Sequence, residues 1–315
     1  MTAIAPPSSP QRANIFARIW DHDIAANFRK SRMTIAAAIV VVILFALALF
    51  APLLAPMNPF DPAQFDLMSA HLPPRWMKGG EAGFLLGADD LGRDLWSAVL
   101  YGLRVSLAIG ALGVAIAATL GISLGLIAGY LGGRVDSIIM RIADVQLTFP
   151  AILIALFVDG IVHGVLKTAN REDTAFGVLV LSIGLSFWVQ YARTVRGSTL
   201  VERNKDYVQA ARLIGIRPFA IMFRHVLPNA VGPVLVIATI NLALAIISEA
   251  TLSFLGVGMP PTEPSLGTLI SIGNNFLFSG EWWIVAFPGL TLATLVLAVN
   301  LLGDWLRDAL NPRLR

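Results

Sequence analysis

The feature that most constrains this chain is a series of long runs almost free of charged residues. A helix rises about 1.5 Å per residue, so about 20 apolar residues cross the roughly 30 Å hydrocarbon core of a bilayer. Six segments reach or approach this length: Thr34 to Leu54, Val105 to Tyr130, Leu147 to Val165, Phe176 to Arg193, Ala230 to Leu252 and Ile284 to Leu302. The sequence therefore predicts an all-α integral membrane protein with six transmembrane helices.

The composition agrees with a membrane protein and excludes several other classes. Hydrophobic residues form 56% of the 315 positions and charged residues 14%, whereas soluble domains have roughly 45–50% and about 25%. The formal net charge of +3 gives no sign of a nucleic-acid-binding surface. The absence of cysteine rules out disulfides, thiolate metal sites and cysteine nucleophiles.

The positions of Lys and Arg predict the orientation, because loops rich in these residues stay in the cytoplasm. The N-terminal tail carries five of them before the first apolar run, and the stretch from Arg193 to Asn229 carries seven. The loop from Ser253 to Glu281 has none. Both termini are therefore expected inside, with the first run acting as an uncleaved signal anchor.

These expectations divide the chain into five regions. They are a cytoplasmic N-terminal tail with a short helix (1–32), a first transmembrane helix (33–55), a periplasmic segment (56–103), a five-helix core (104–304) with a cytoplasmic loop (194–229), and a cytoplasmic C-terminal tail (305–315). The outer segment, from Ala55 to about Leu103, is rich in Pro, Gly and Asp and too long for a hairpin turn. It is either a structured excursion that faces a partner or a solvated connector.

Three glycines recur at a four-residue interval in the second run: Gly121, Gly125 and Gly129. This interval places them on one helix face, where the missing side chains let another backbone approach closely. A contact within the same chain is the simpler interpretation, and a dimer interface is the alternative.

The most informative stretch lies between the fourth and fifth runs, where the pattern predicts two short amphipathic helices joined by a turn. Asp206 is placed to cap the first helix, with Gln209 three residues later, and Gly215 supplies its stop. Pro218 restarts the chain and Pro228 is expected to end the second helix. The apolar positions are Tyr207, Ala210, Ala211 and Ile214 in the first helix and Phe219, Met222, Phe223 and Val226 in the second.

An apolar stripe outside the bilayer has to be buried against a partner, the lipid surface or the chain itself. Ala210 and Ala211 are small where a helix on the membrane surface would favour bulky anchors. Their size favours a helix that lies in a partner's cleft.

This stretch resembles a motif of a known family. Tyr207 to Gly215, followed after nine residues by His225 to Asn229, is similar to the cytoplasmic coupling motif of permeases in binding-protein-dependent ABC importers. That motif reads Glu-Ala-Ala, three residues, Gly, nine residues, then Ile-x-Leu-Pro. Gln209 replaces the Glu and His225 replaces the Ile, and the His-x-Leu-Pro-Asn form is typical of the dipeptide and oligopeptide branch. The resemblance implies that the residues coupling the chain to an ATPase are Tyr207, Gln209, Ala210, Ala211, Gly215, His225, Leu227 and Pro228.

Other segments resemble the second, C-type membrane subunit of the same importers, and the resemblance extends from about Arg29 to the C-terminus. These segments are Leu86 to Asp94, Leu252 to Gly256, Asp304 to Asp308 and Asn311-Pro312. The resemblance implies a type I ABC importer permease fold. It also implies a homologous second permease subunit, two cytoplasmic ATPase subunits that bind ATP and Mg²⁺, and an extracytoplasmic solute-binding protein. Relatives of this type take up dipeptides, oligopeptides, glutathione, nickel complexes or other small solutes.

The chain itself is expected to bind no cofactor and no metal and to have no catalytic residue. None of its four lysines lies in a Gly-Lys-Ser/Thr context, and its four histidines are scattered.

Asn241 and Glu249 are the polar residues of the fifth run that could line a translocation pathway. Counting along the helix places Asn241 near the membrane centre, where a hydrogen bond between helices explains it equally well. Glu249 falls close to the outer surface, where a hydrated or paired carboxylate is the alternative.

A secondary transporter or channel that needs no ATPase is the alternative function. It is disfavoured because charged residues near the membrane centre are nearly missing and no inverted repeat is evident. A membrane hydrolase is disfavoured because no nucleophile or metal constellation is recognisable.

Overall fold

The computed structural model describes residues 28–29, 31–165 and 171–310, so most of the predicted N-terminal tail and the end of the C-terminal tail lie outside the described residues. The α-helices are α1 (Arg32–Leu49), α2 (Ala51–Leu54), α3 (Leu95–Leu131), α4 (Gly133–Gln146), α5 (Ala151–Val165), α6 (Arg171–Glu202), α7 (Asp206–Leu213), α8 (Pro218–Ile221), α9 (Leu227–Phe254), α10 (Leu266–Phe276) and α11 (Trp283–Leu310). Within the described ranges no strand forms, and one isolated bridge joins Ala88 and Asp94.

Five helices, α1, α3, α6, α9 and α11, are long and apolar enough to cross a membrane. A sixth span exists if α4 and α5 count as one, since they pass the same test together but are bent by 100° at their junction. This confirms the predicted class, an all-helical membrane protein of up to six spans. The predicted third span corresponds to α5, whose 15 described residues extend about 22 Å and count as a span only together with α4.

Several helices extend beyond the predicted apolar runs. The helix α3 begins at Leu95, and its 37 residues extend about 56 Å, well beyond the hydrocarbon thickness. Its start is fixed by Asp94, which accepts hydrogen bonds from the Ser97 backbone N–H at 2.9 Å and the Ser97 hydroxyl at 2.6 Å. The last part of the predicted periplasmic segment is therefore helical.

The loop from Ser253 to Glu281 contains a helix, α10, that the apolar runs did not indicate. Ser265 caps it by accepting a hydrogen bond from the Thr268 backbone N–H at 3.3 Å. The helix has 11 residues and packs against α9 and α11, with Leu266 and Leu269 fully buried. It is too short to span a bilayer.

The glycine stripe of α3 lies against α6 of the same chain. A Cβ built on Gly121 would lie 2.3 Å from the Trp188 carbonyl oxygen, and one on Gly125 would lie 2.4 Å from the Ala192 carbonyl oxygen. Gly129 meets Arg196 and Thr199 one turn further along. The contact that these glycines make is therefore a close helix–helix packing within the chain.

The outer segment is structured in the part that precedes α3. Arg93 and Asp89 are both fully buried there, with Arg93 Nε donating to Asp89 Oδ2 at 2.6 Å. Arg93 Nη1 also donates to the Pro261 carbonyl oxygen at 2.8 Å, which joins this segment to the loop between α9 and α10. A solvated connector does not describe these residues.

Asp90 lies beside this ion pair, and burial, followed by repulsion from Asp89, raises the pKa of its carboxyl group despite the opposing charges of Arg93 and His71. Because the pKa is higher in the folded chain than in the unfolded chain, this group contributes less stability as the pH rises through the window between the two pKa values. We expect Asp90→Asn to raise the melting temperature at pH 7.5 by about 2 °C, and to have no such effect near pH 4.

Thermal unfolding of the purified protein at the two pH values measures this difference. The matched control is Glu81→Gln, an exposed carboxylate in the same segment. An equal gain for Asp90→Asn at both pH values would contradict the role assigned to its charge.

Candidate functional site

The stretch between α6 and α9 forms the helical elbow expected from the sequence, with a difference in each of its two helices. The helix α7 ends at Leu213, and Gly215 turns the chain with φ of +81°, a left-handed conformation that favours glycine. The second helix was predicted to end at Pro228, which is wrong. It continues from α8 through a π-helical turn (Met222–Val226) into α9, and Pro228 lies in the first turn of α9, where its missing N–H is tolerated.

The predicted start of α7 is also displaced. Lys205 occupies the N-cap position, and no side chain caps the helix there. Asp206 is the first helical residue, so its carboxylate interacts with the helix dipole rather than capping the chain. Gln209 donates from Nε2 to the Arg203 carbonyl oxygen at 3.3 Å, which is not the reciprocal bond of a capping box.

One face of the elbow is buried within the chain. Val208 and Ala211 of α7 pack in the same core cluster as Ile221, Met222 and Val226. Ala211 retains only 4% of its accessible surface, so its small side chain fits a close contact inside the chain. The interpretation of Ala211 as a residue shaped for a partner's cleft is therefore not supported by its position.

The other face carries large exposed apolar side chains. Leu213 is 90% exposed, Ile214 77%, Phe219 71% and Phe223 52%. We call these four residues the coupling surface. They lie outside the candidate membrane spans and have no contact in the described chain that would bury them. Gln209, Ala210, Gly215 and Pro228 are also exposed, whereas His225 and Leu227 are half-buried.

A polar network fastens α7 to the helices on either side. The Tyr207 hydroxyl donates to Glu202 Oε2 at 2.5 Å, at the end of α6, and accepts a hydrogen bond from Asn229 Nδ2 at 3.1 Å, in α9. Lys205 Nζ donates to Glu202 Oε1 at 2.6 Å. Burial and the neighbouring Glu202 carboxylate raise the pKa of Tyr207 to about 12, so its hydroxyl keeps its proton and stays a donor.

Two arginines fasten the elbow to the end of α3. Arg203 Nη1 donates to the Gly129 carbonyl oxygen at 2.8 Å, at the C-terminal turn where α3 has unpaired carbonyl groups. The Arg212 guanidinium lies 4.9 Å from the centre of the Tyr130 ring and donates from Nε to the Tyr130 hydroxyl at 3.3 Å. The elbow is therefore held by α3, α6 and α9 together.

The helix α4 is attached to the same end of the bundle. Asp136 accepts two hydrogen bonds from the Arg196 guanidinium, at 2.5 and 2.6 Å, and Asp144 accepts one from Arg193 at 2.7 Å. These pairs link α4 to α6, whose last residues carry the elbow. Arg193 and Arg196, two of the basic residues from which the cytoplasmic side was predicted, are therefore both engaged in ion pairs.

The two candidate pathway residues are both fully buried. Glu249 Oε2 accepts a hydrogen bond from the Ser106 hydroxyl at 2.7 Å, and Glu249 Oε1 accepts one from the Ser253 hydroxyl at 2.8 Å. Asn241 lies two turns deeper in α9 and is also fully buried. Neither residue lines the cavity of about 560 Å³ that opens between α5, α6 and α10, so a role for them in contacting solute stays a prediction.

Other kinds of site are not indicated by the described residues. Among these residues, no three His, Cys, Asp or Glu side chains form a group that could hold a metal ion. The elbow offers an apolar surface for a macromolecule rather than a pocket for a small molecule.

The comparisons with known proteins identify the family of this chain. Residues 121–315 match the family described as the binding-protein-dependent transport system inner membrane component. Residues 19–74 match the N-terminal TM domain of oligopeptide transport permease C. The first match covers more than half of the chain, and the chain therefore belongs to this family of ABC importer permease subunits.

Several relatives match over most of both chains. The dipeptide transport system permease protein DppC of Haemophilus influenzae is 38% identical over 288 residues, 91% of this chain and 93% of the relative. The di/tripeptide transport system permease protein DppC of Pseudomonas aeruginosa is 38% identical, covering 92% and 91%. The glutathione transport system permease protein GsiD of Pectobacterium atrosepticum is 36% identical, covering 91% and 89%.

The fold is similar to that of a solved importer. An inward-facing MetNI methionine ABC transporter chain aligns with a TM-score of 0.51 at 21% identity, covering 69% of this chain and 96% of that chain. The fold is therefore that of a type I ABC importer permease. The chain is a multi-pass protein of the bacterial inner membrane and serves as a permease subunit, not as an ATPase.

Proposed function

We propose that this chain forms half of the translocation pathway of a peptide importer and docks on a cytoplasmic ATPase through the coupling surface. The other half is a homologous second permease subunit, and an extracytoplasmic binding protein delivers the solute. Two partner ATPase subunits bind ATP and Mg²⁺. This assignment extends to the chain what the family and its relatives have in common.

The observation that carries the docking proposal is the division of the elbow into two faces. Val208 and Ala211 are buried in the chain's own core, while Leu213, Ile214, Phe219 and Phe223 are exposed on the opposite face. Large apolar side chains that cluster outside the membrane mark an interaction surface, since leaving them in water is unfavourable. The sequence left three alternatives for burial of the apolar stripe: a partner, the lipid surface or the chain itself. Packing within the chain buries only one of the two faces.

Docking of this surface would convert ATPase motion into motion of the bundle. Tyr207, Arg203 and Arg212 connect the elbow to α6, α9 and α3 through short polar contacts. A displacement of the elbow when the ATPase subunits close on ATP is therefore transmitted to three long helices at once. The named residues have a mechanical function and perform no chemical step.

The peptide class of the solute follows from the relatives. Their names assign dipeptides, di- or tripeptides and glutathione, all of which contain amide-linked amino acids. We extend this class to the present chain because each of these relatives aligns over about nine-tenths of its length.

The experiment that tests docking is the substitution Ile214→Glu in the full transporter. Burial of an aliphatic side chain contributes about 2 kcal/mol, so the variant is expected to weaken association with the ATPase subunits by roughly 30-fold. Retention of the ATPase during purification in mild detergent measures the effect. The matched control is Leu67→Glu, which changes an exposed leucine, 70% accessible, in the outer segment.

Full ATPase retention by the Ile214→Glu variant would contradict docking through this surface. Uptake by the purified chain alone, without an ATPase, would instead support a secondary transporter or channel. Loss of retention for both variants would show a general defect and would equally contradict a specific role for the coupling surface.

A further inference from the structure

A cavity of about 560 Å³ opens between α5 and α6 on one side and the loop between α9 and α10 on the other. The second side includes Met259, Pro260 and Pro261. We call residues 258–266, which lead from the end of α9 to the start of α10, the wall segment. Its position relative to α5 and α6 determines the width of the cavity.

A single buried carboxylate holds both ends of the wall segment. Glu249 is fully buried in α9, and its two oxygens accept hydrogen bonds from the hydroxyl groups of Ser106 in α3 and Ser253 in α9. The Ser253 hydroxyl in turn accepts from the Met259 backbone N–H at 3.1 Å. The Ser106 hydroxyl accepts from the Leu266 backbone N–H at 3.2 Å.

The two serines thus act as relays from Glu249 to two backbone amides seven residues apart. Each serine uses its one hydroxyl proton on the carboxylate and its oxygen on an amide. Both oxygens of the Glu249 carboxyl group accept hydrogen bonds from serine hydroxyls, whereas the side-chain amide of glutamine accepts on its oxygen and donates from its nitrogen. Replacing Glu249 by glutamine therefore leaves at least one relay without its acceptor.

Further contacts hold the wall segment between these ends. Arg93 Nη1 donates to the Pro261 carbonyl oxygen at 2.8 Å, and the Thr268 hydroxyl donates to the Met259 carbonyl oxygen at 3.0 Å.

Close packing also leaves no space for a side chain at Gly258 in the wall segment and at Gly267 directly after it. A Cβ on Gly258 would lie 2.0 Å from Ser253 Oγ, and one on Gly267 would lie 2.4 Å from the Ala250 carbonyl oxygen. Real Cβ atoms do not approach other atoms so closely. The wall segment is therefore fixed to α9 and α3 by hydrogen bonds and by close packing.

We propose that Glu249 is a positioning residue for solute passage, which fixes the wall segment through Ser253 and Ser106 and thereby sets the size of solute that the cavity admits. The proposal rests on the proposed transport function. Glu249 is itself inaccessible to solute, so it acts through the wall segment and not by contact.

Amide hydrogen exchange of the reconstituted transporter tests the structural half of this proposal. In Glu249→Gln, exchange of a peptide spanning the wall segment is expected to accelerate by about tenfold. Three prolines, at positions 260, 261 and 264, leave few other amides in this peptide. The matched control is Thr251→Ala, because the hydroxyl of this exposed residue donates to the Ile247 carbonyl oxygen within the same helix.

The single serine variants separate the two relays and serve if Glu249→Gln fails to fold. Ser253→Ala is expected to accelerate exchange at Met259, and Ser106→Ala at Leu266, each leaving the other amide protected. Unchanged exchange in a folded Glu249→Gln variant, or in both serine variants if Glu249→Gln does not fold, would overturn the inference and would leave the docking of the coupling surface untouched.

The functional half is tested by comparing uptake of alanyl-alanine with uptake of tetra-alanine. A loosened wall segment is expected to lower the ratio of dipeptide to tetrapeptide uptake by roughly threefold in Glu249→Gln. A loss of folded transporter would lower both rates equally and leave the ratio unchanged, so faster exchange with an unchanged ratio would overturn the positioning role. Failure of the parent transporter to take up either peptide would contradict the proposed peptide class, while the exchange result would still decide whether Glu249 fixes the wall segment.

Discussion

Replacing Arg93 by methionine is expected to destabilise the transporter by about 3–5 kcal/mol, the usual effect of leaving one charge of a buried ion pair uncompensated. Arg93 and Asp89 are both fully buried, and Asp89 would keep only backbone N–H donors, those of Leu91 and of residue 93 itself. The variant also loses the bond to the Pro261 carbonyl oxygen, so the wall segment loses one of its attachments. Thermal unfolding and limited proteolysis of the outer segment measure the effect.

The control for this prediction is Arg75→Met, which removes an exposed guanidinium from the same segment and should change stability little. The double variant Asp89→Asn with Arg93→Met removes the uncompensated charge and should recover part of the loss. Equal stability of Arg93→Met and the parent would show that the ion pair does not hold the outer segment in place.

The membrane architecture was predictable because burial in lipid leaves a strong signal in a single sequence. A span requires a continuous run of apolar residues, and five such runs became the helices α1, α3, α6, α9 and α11. The 100° bend between α4 and α5 was not predictable, because α4 carries Asp136 and Asp144 in contact with arginines of α6. These partners are about 50 to 60 positions away in the sequence, beyond the reach of any local pattern.

The elbow shows the same limit within the candidate site. Spacing predicted the first short helix and the turn at Gly215, which form, and a second helix from Pro218, which forms but continues into α9. It could not tell which apolar residues would be buried within the chain, because this depends on how Ile221, Met222 and Val226 pack across the turn. Pro228 was misread as a stop because the same residue type also favours the first turn of a helix.

Glu249 shows that a position along a helix does not by itself define the role of a residue. Counting along the helix placed it near the outer end of its span, with a paired carboxylate as one alternative. Ser106 belongs to another helix, however, and only the fold brings its hydroxyl within 2.7 Å. The interaction that identifies Glu249 as a positioning residue is therefore a property of the tertiary structure.

The glycine stripe of α3 predicts that Gly125→Ala will separate α3 from α6. The added Cβ would lie 2.4 Å from the Ala192 carbonyl oxygen and 2.9 Å from the Ala192 Cα, and both atoms belong to the backbone. Relieving the clash between the added Cβ and the Ala192 backbone therefore requires movement of a whole helix. This movement is expected to destabilise the chain by about 1–3 kcal/mol. Because Arg203 attaches the elbow to the Gly129 carbonyl oxygen one turn away, the shift should also displace the coupling surface.

The matched control for this substitution is Gly177→Ala in α6, where a Cβ would meet nothing within 4 Å. This change should be neutral or stabilising, by up to about 1 kcal/mol, since alanine favours the helical backbone more than glycine does. Thermal unfolding of the two variants measures the contrast, and ATPase retention reports on the elbow. Equal stability of the two alanine variants would mean that the glycine stripe does not set the distance between α3 and α6.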